Sequence, residues 1–212
     1  MTKTGTATTA NAFDEKVARM KTAILSQNRR NEYNAWLSSR DPARGFGKRE
    51  LYPLGFKMAS DELIEHLPKR GAPSHLNEAL IYPIFYGYRH YIELRLKNQI
   101  WRLKGFPKQD PESLRGREGH ELLTLWRTLR ELLEEQYGED RNGEIRFLEN
   151  YEGIHAYIQV LHELDEKSFS FRYADADFPV PDEDIEPVVI NLEELKSHVA
   201  NLSSEMDGIG LN

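Results

Sequence analysis

Two groups of residues in this 212-residue chain combine types and spacings that can carry chemistry. The first is Arg115-Gly-Arg-Glu-Gly-His120, where an arginine able to contact phosphate stands five residues before a histidine. The apolar period that follows predicts that His120 opens a helix. At a helix N-terminus the backbone dipole disfavours an imidazolium, so His120 is expected to stay neutral near pH 7 and to be able to take a proton. Metal-independent RNA cleavage needs little more: a base for the 2′-hydroxyl and a cation for the charge that develops on phosphate. The plainer reading is that His120 merely starts a helix whose apolar face packs through Leu122 and Trp126.

The second group lies in YGYRHYIELRLK, residues 86–97. Arg89 and Glu93 are one helical turn apart and Lys97 is one turn further on. Such a ladder is either an exposed i, i+4 series contributing a few tenths of a kcal/mol per pair or part of a binding surface. In the second case Tyr82, Tyr86 and Tyr91 stack on bases beside the ladder. Arg89, Glu93, Arg95 and Arg117 make up the candidate RNA-binding set, with Arg115 and His120 as the candidate catalytic pair. Residues 85–130 hold 10 Lys+Arg against 5 Asp+Glu, a local charge of +5 inside a chain of net charge −7. Residues 131–212 hold 5 against 21, or −16. Either the basic and acidic parts lie against each other, or the basic part is a patch that meets a polyanion.

Other chemistries lack their signatures. With no cysteine, disulfide scaffolds, thiolate zinc sites, iron–sulfur ligation and cysteine nucleophiles are all excluded. There is no Walker A motif, no GxGxxG opening a helix after a strand, no GxSxG and no HExxH. Glu152 and His155 form one Glu-x-x-His, with His162 two turns on. A di-iron bundle needs a second such motif and two more inward carboxylates, and the sequence offers neither. No metal site and no cofactor are therefore expected. No apolar run approaches the roughly 20 residues of a membrane span, so the expected setting is cytoplasmic, without a membrane partner.

The elements that must position these residues read as mainly helical. Residues 1–12 are small and polar, a disordered tail. A helical bundle core is expected over 13–166. Its first stripe is Phe13, Val17, Met20 and Ile24. Residues 39–57, with two prolines and three glycines, read as a loop, and Ser60 then caps a short helix that ends at Leu67. A long helix from Ser74 to Lys104 buries Ile81, Phe85, Tyr88, Ile92, Leu96 and Leu103, with a kink or a fresh start at Pro83. A third helix from Gly119 to Tyr137 buries Leu122, Leu125, Trp126, Leu129, Leu132 and Leu133. A fourth, over 144–166, turns Phe147, Tyr151, Ile154, Ile158 and Leu161 inward. Over 167–212 the period shifts to two at Phe169, Phe171 and Tyr173, a strand pattern. An acidic linker follows, then a β-branched run from Val188 to Ile190, and then a C-terminal helix capped by Asn191. The expected fold is thus a mainly α bundle with a small two-stranded β addition and a C-terminal helix packed on it.

YRHYIELRLK followed after a loop by GHELLTLWRTL resembles the second and third helices of the HEPN-like domains of prokaryotes. SFSFRYADAD and INLEELKSHVANL are similar to the ends of uncharacterised relatives of that fold. The resemblance spans roughly residues 76–207. It implies a four- or five-helix bundle, a homodimer, and a role in toxin–antitoxin, abortive-infection or other defence systems, with RNA, a nucleotide or a cognate partner protein as the ligand. Catalytic members carry Arg-x(4–6)-His with histidines of two protomers meeting in a shared cleft, and Arg115 and His120 match that spacing. Here Gly116 follows the arginine where the family usually has a polar residue. The histidine also opens the third helix rather than lying near the last, a start more typical of non-cleaving relatives. The resemblance therefore implies engagement of RNA or nucleotides, with cleavage as the narrower reading. The alternative is a non-catalytic helical protein-interaction module whose acidic C-terminal part contacts a basic protein.

Overall fold

The computed structural model describes residues 14–21, 48–67, 75–105, 114, 118–139, 151–165 and 190–209. The chain divides into two compact units, 1–40 and 41–212. In the first, residues 14–21 are helical, the middle of the predicted stripe. The second is mainly helical, and no strand occurs among its described residues. Of the predicted β addition only Ile190 is described, and it belongs to neither helix nor strand; residues 166–189 lie outside the described residues.

Five helices make up the described bundle: α1 (Lys48–Glu65), α2 (His75–Leu103), α3 (Leu122–Tyr137), α4 (Tyr151–Leu164) and α5 (Leu192–Gly208). Helix α2 packs on α1, α3 and α5. Helix α4 joins α3 to α5, and α5 closes the ring back onto α1. The apolar stripe of α2, from Ile84 and Phe85 through Tyr88, Ile92 and Leu96 to Ile100, is fully buried. It meets Leu122, Leu125, Trp126, Leu129 and Leu133 of α3, Ile154, Ile158 and Leu161 of α4, and Leu195, Val199, Leu202 and Met206 of α5 in one core. Tyr151 is only partly buried and stacks on Trp126 with ring centroids 5.6 Å apart. Asn191 caps α5 as expected, its side chain accepting from the backbone N–H of Glu193 and Glu194.

Three expectations are corrected. Residues 48–57 are not loop but the first half of α1, which contains Pro53. Ser60 lies in the middle of that helix and caps nothing; its hydroxyl sits 3.1 Å from the carbonyls of both Phe56 and Ile84. Helix α2 runs unbroken through Pro83, so no new helix starts there. Proline inside a helix costs about 3 kcal/mol, but propensity is a weak term beside the packing of two long helices on a shared face. That packing is close. A Cβ on Gly87 of α2 would fall 2.2 Å from Ser60 Oγ and 3.2 Å from the Phe56 carbonyl, so only glycine fits the crossing without a shift. Just beyond it, Tyr88 donates to Asp61 of α1 at 2.7 Å; burial, helped by that carboxylate, pushes its phenol well above the ordinary range.

Candidate functional site

Helix α2 carries Arg89, Glu93 and Lys97 down one side at four-residue spacing, as the sequence predicts. The ladder is not exposed. Arg89 and Glu93 are each 1% exposed and Lys97 is mostly buried. Arg89 is the joint of three segments: its Nη1 donates to Glu93 Oε2 at 3.3 Å, its Nη2 to the backbone carbonyl of His120 at 2.8 Å, and its Nε to the backbone carbonyl of Asp165 at 3.1 Å. Asp165, just past α4 and also buried, brings its carboxylate within 3.4 Å of the same Nε. A rigid fork of donors on one cation thus pins the turn before α3 and the end of α4 to α2.

His120 does not open α3. It ends a 3₁₀ turn, Glu118–His120, and α3 starts at Leu122 behind Glu121. The turn fits because its centre is glycine: a Cβ on Gly119 would lie 2.6 Å from the carbonyl carbon and oxygen of Leu114. The electrostatics of the imidazole are accordingly set by a carboxylate rather than by a helix end. His120 Nδ1 is 2.9 Å from Glu93 Oε1, which also accepts from Lys97 Nζ at 2.8 Å. Burial works to raise the Glu93 carboxyl, but His90, Lys97 and His120 outweigh it and bring it from 4.5 down to about 2. Glu93 is therefore ionised at neutral pH and can only accept. It follows that the proton of a neutral His120 sits on Nδ1 and the lone pair on Nε2. The ring is half-exposed, open to solvent. A carboxylate orienting an imidazole in this way is the usual arrangement for a general base, with the carboxylate stabilising the imidazolium that forms.

A second histidine, not singled out in the sequence, flanks the other carboxylate oxygen. His90 Nδ1 is 3.9 Å from Glu93 Oε2. Its ring lies edge-on to Phe56 of α1 (4.6 Å) and stacks on Tyr86 (5.5 Å, 9°). Of the remaining sequence candidates, Arg95 points away and pairs with Asp207 at the end of α5. Arg115 and Arg117 lie outside the described residues. Tyr91 is buried and bonds Ser203, whereas Tyr82 is exposed. The burial of Arg89 and Glu93 leaves neither on the surface for direct contact with RNA; each can act on a bound substrate only through His120 and Lys97. His155 stacks on Tyr151, and among the described residues no group of three or more His, Asp or Glu is placed to hold a metal ion. The signal for His90 was its place three residues before Glu93 on a helix. Asp165 had no signal, since only the fold brings it to Arg89.

Searches of family models, of curated proteins and of solved structures each returned no match. No described helix is long and apolar enough to cross a membrane.

Proposed function

We propose that this protein is a HEPN-like helical protein that engages RNA or nucleotides, in a defence or toxin–antitoxin setting, and that His120 performs metal-independent cleavage of the bound RNA. The observation that supports the reading is the half-exposed His120 imidazole, held at Nδ1 by the buried, ionised Glu93 beside Lys97. In this reading His120 Nε2 takes the proton of a ribose 2′-hydroxyl. The oxygen attacks the adjacent phosphorus, and the ammonium of Lys97 steadies the charge on the non-bridging oxygens. Arg115, at the family spacing from His120, is assigned to the same phosphate. Arg89 holds the backbone of His120 rather than its ring, so His120→Ala should keep the fold and most of the RNA affinity while cleavage falls about 10²- to 10⁴-fold. The test is incubation of purified protein, with chelator, with mixed single-stranded and structured RNA. Equal persistence of the RNA with wild type and with His120→Ala overturns the cleavage reading. Absence of retained RNA at low salt overturns binding as well.

A second reading, a non-catalytic module that binds a partner protein, is favoured by one observation: Leu51, Tyr52, Leu54 and Met58 are all exposed on α1. A row of this kind marks an interaction surface more often than bare solvent-facing helix. A homodimer satisfies both readings, and the resemblance to a commonly dimeric family points the same way. Light scattering at micromolar concentration should then give twice the 24.7 kDa of the chain; a monomer mass removes the dimer.

A further inference from the structure

The two oxygens of Glu93 face two different imidazoles. Oε1 is 2.9 Å from His120 Nδ1 and Oε2 is 3.9 Å from His90 Nδ1. Both rings therefore flank one carboxylate within one chain, and Lys97 completes the set at Oε1. Phe56 stands perpendicular to the His90 ring and Tyr86 stacks on it, and the Oε2 that His90 approaches also accepts from Arg89 Nη1 at 3.3 Å. The side chain of His90 keeps 20% of its surface exposed. At 3.9 Å the Glu93 carboxylate is within ion-pair reach of a His90 imidazolium, and at 2.9 Å it steadies the imidazolium that His120 becomes when it acts as a base.

We infer that His90 is a second catalytic residue of the same site, the general acid that protonates the leaving 5′-oxygen while His120 deprotonates the 2′-hydroxyl. The inference rests on the cleavage reading above. Transphosphorylation needs both transfers. The 2′-O–P bond forms as the P–O5′ bond breaks, the 2′ proton passes to His120, and a proton from the His90 imidazolium passes to O5′. The products are a 2′,3′-cyclic phosphate and a free 5′-hydroxyl. The two imidazoles exchange protonation states and are reset by solvent, with no redox change and no co-reactant. A single chain then supplies both proton-transfer groups, without a histidine from a second protomer.

The leaving group separates this role from a structural one. A 5′-alkoxide needs a proton to depart, whereas 4-nitrophenolate does not. The experiment compares wild type, His90→Asn and His120→Ala on an RNA dinucleotide and on uridine 3′-(4-nitrophenyl phosphate), with thermal melts of all three proteins. His90→Asn should cut dinucleotide cleavage about 10²-fold or more and leave release of 4-nitrophenolate within a few-fold of wild type. His120→Ala should lose both. Equal losses on the two substrates in His90→Asn, or wild-type cleavage of the dinucleotide, overturn the role of His90 while the cleavage reading stands on His120. If wild type turns over neither substrate, both fall together.

Discussion

Glu93→Gln puts the buried charge cluster to its sharpest test. The side chain is 1% exposed and its oxygens serve Arg89, Lys97 and His120, all donors. Glutamine keeps the size and one acceptor, but its NH₂ would be turned towards groups that have only protons to offer. Removing one partner of a buried ion pair costs about 3–5 kcal/mol, and because the remaining acceptor offsets some of that, a loss of about 3 kcal/mol at pH 7 is expected. The pH dependence adds an independent signature. The folded carboxyl titrates at about 2 against an ordinary 4.5, so between those values the folded chain holds fewer protons than the unfolded chain. The resulting stabilisation is complete above the unfolded value and is lost as pH falls towards 2. Linkage puts the loss at about 2 kcal/mol by pH 3 and about 3 kcal/mol by pH 2. Glutamine has no such proton to gain, so the gap between the two proteins should shrink from about 3 kcal/mol at pH 7 to about 1 kcal/mol at pH 3. Urea unfolding followed by circular dichroism at pH 7, 5, 4 and 3 measures it. A gap that stays constant over that range, or is zero at pH 7, would refute the argument.

Two further perturbations probe the scaffold. Trp126→Ala should cost about 3 kcal/mol, the low end for a core aromatic. Its ring is buried and stacked on Tyr151, but its Nε1 has no hydrogen-bond partner to lose among the described residues; an unchanged melting temperature would show that this face is not core. Gly119→Ala should cost about 1–3 kcal/mol, because the new Cβ would stand 2.6 Å from the Leu114 carbonyl and the turn carrying His120 must shift. Cleavage should fall with it by more than stability alone accounts for, and a variant with wild-type stability and activity would contradict the close approach.

How far the fold could be read from the sequence depended on which term dominated locally. Helices α3 and α5 were legible because each has a clean 3.6-residue apolar period, and α5 has a capping asparagine besides. Of helix α1 only the part from Ser60 on was legible. Pro53 and Gly55 are local breaker signals, and what overrides them is packing on α2, which brings Gly87 against Ser60. The site was half legible. The i, i+4 run of Arg89, Glu93 and Lys97 and the Gly-His pair were visible as patterns, but periodicity could not say that the ladder points inward. The apolar stripe of α2 is wide enough for Arg89 to sit inside it, and its burial is made tolerable by Glu93 together with the backbone carbonyls of His120 and Asp165. The helix-end argument for His120 put the start of the helix at Gly119, three residues ahead of Leu122. The carboxylate that does act on the ring is 27 positions away.

The cluster divides its labour in a way that bears on function. A buried ion pair is poor evidence for stability, since apolar residues of the same volume often do as well. Arg89 directs Nη2 and Nε to backbone carbonyls, so its work is positional: it sets where the His120 turn and the end of α4 stand relative to α2. A lysine there has a single ammonium on a flexible stem and could not hold both carbonyls and Glu93 in one geometry. Glu93 in turn links that fixed joint to the groups that reach solvent, Lys97 and His120, with His90 beside them. A structural network would close on itself. This one ends on a half-exposed imidazole held at Nδ1 by a buried carboxylate, and in the proposed reading that supplies the preorganisation a proton transfer requires.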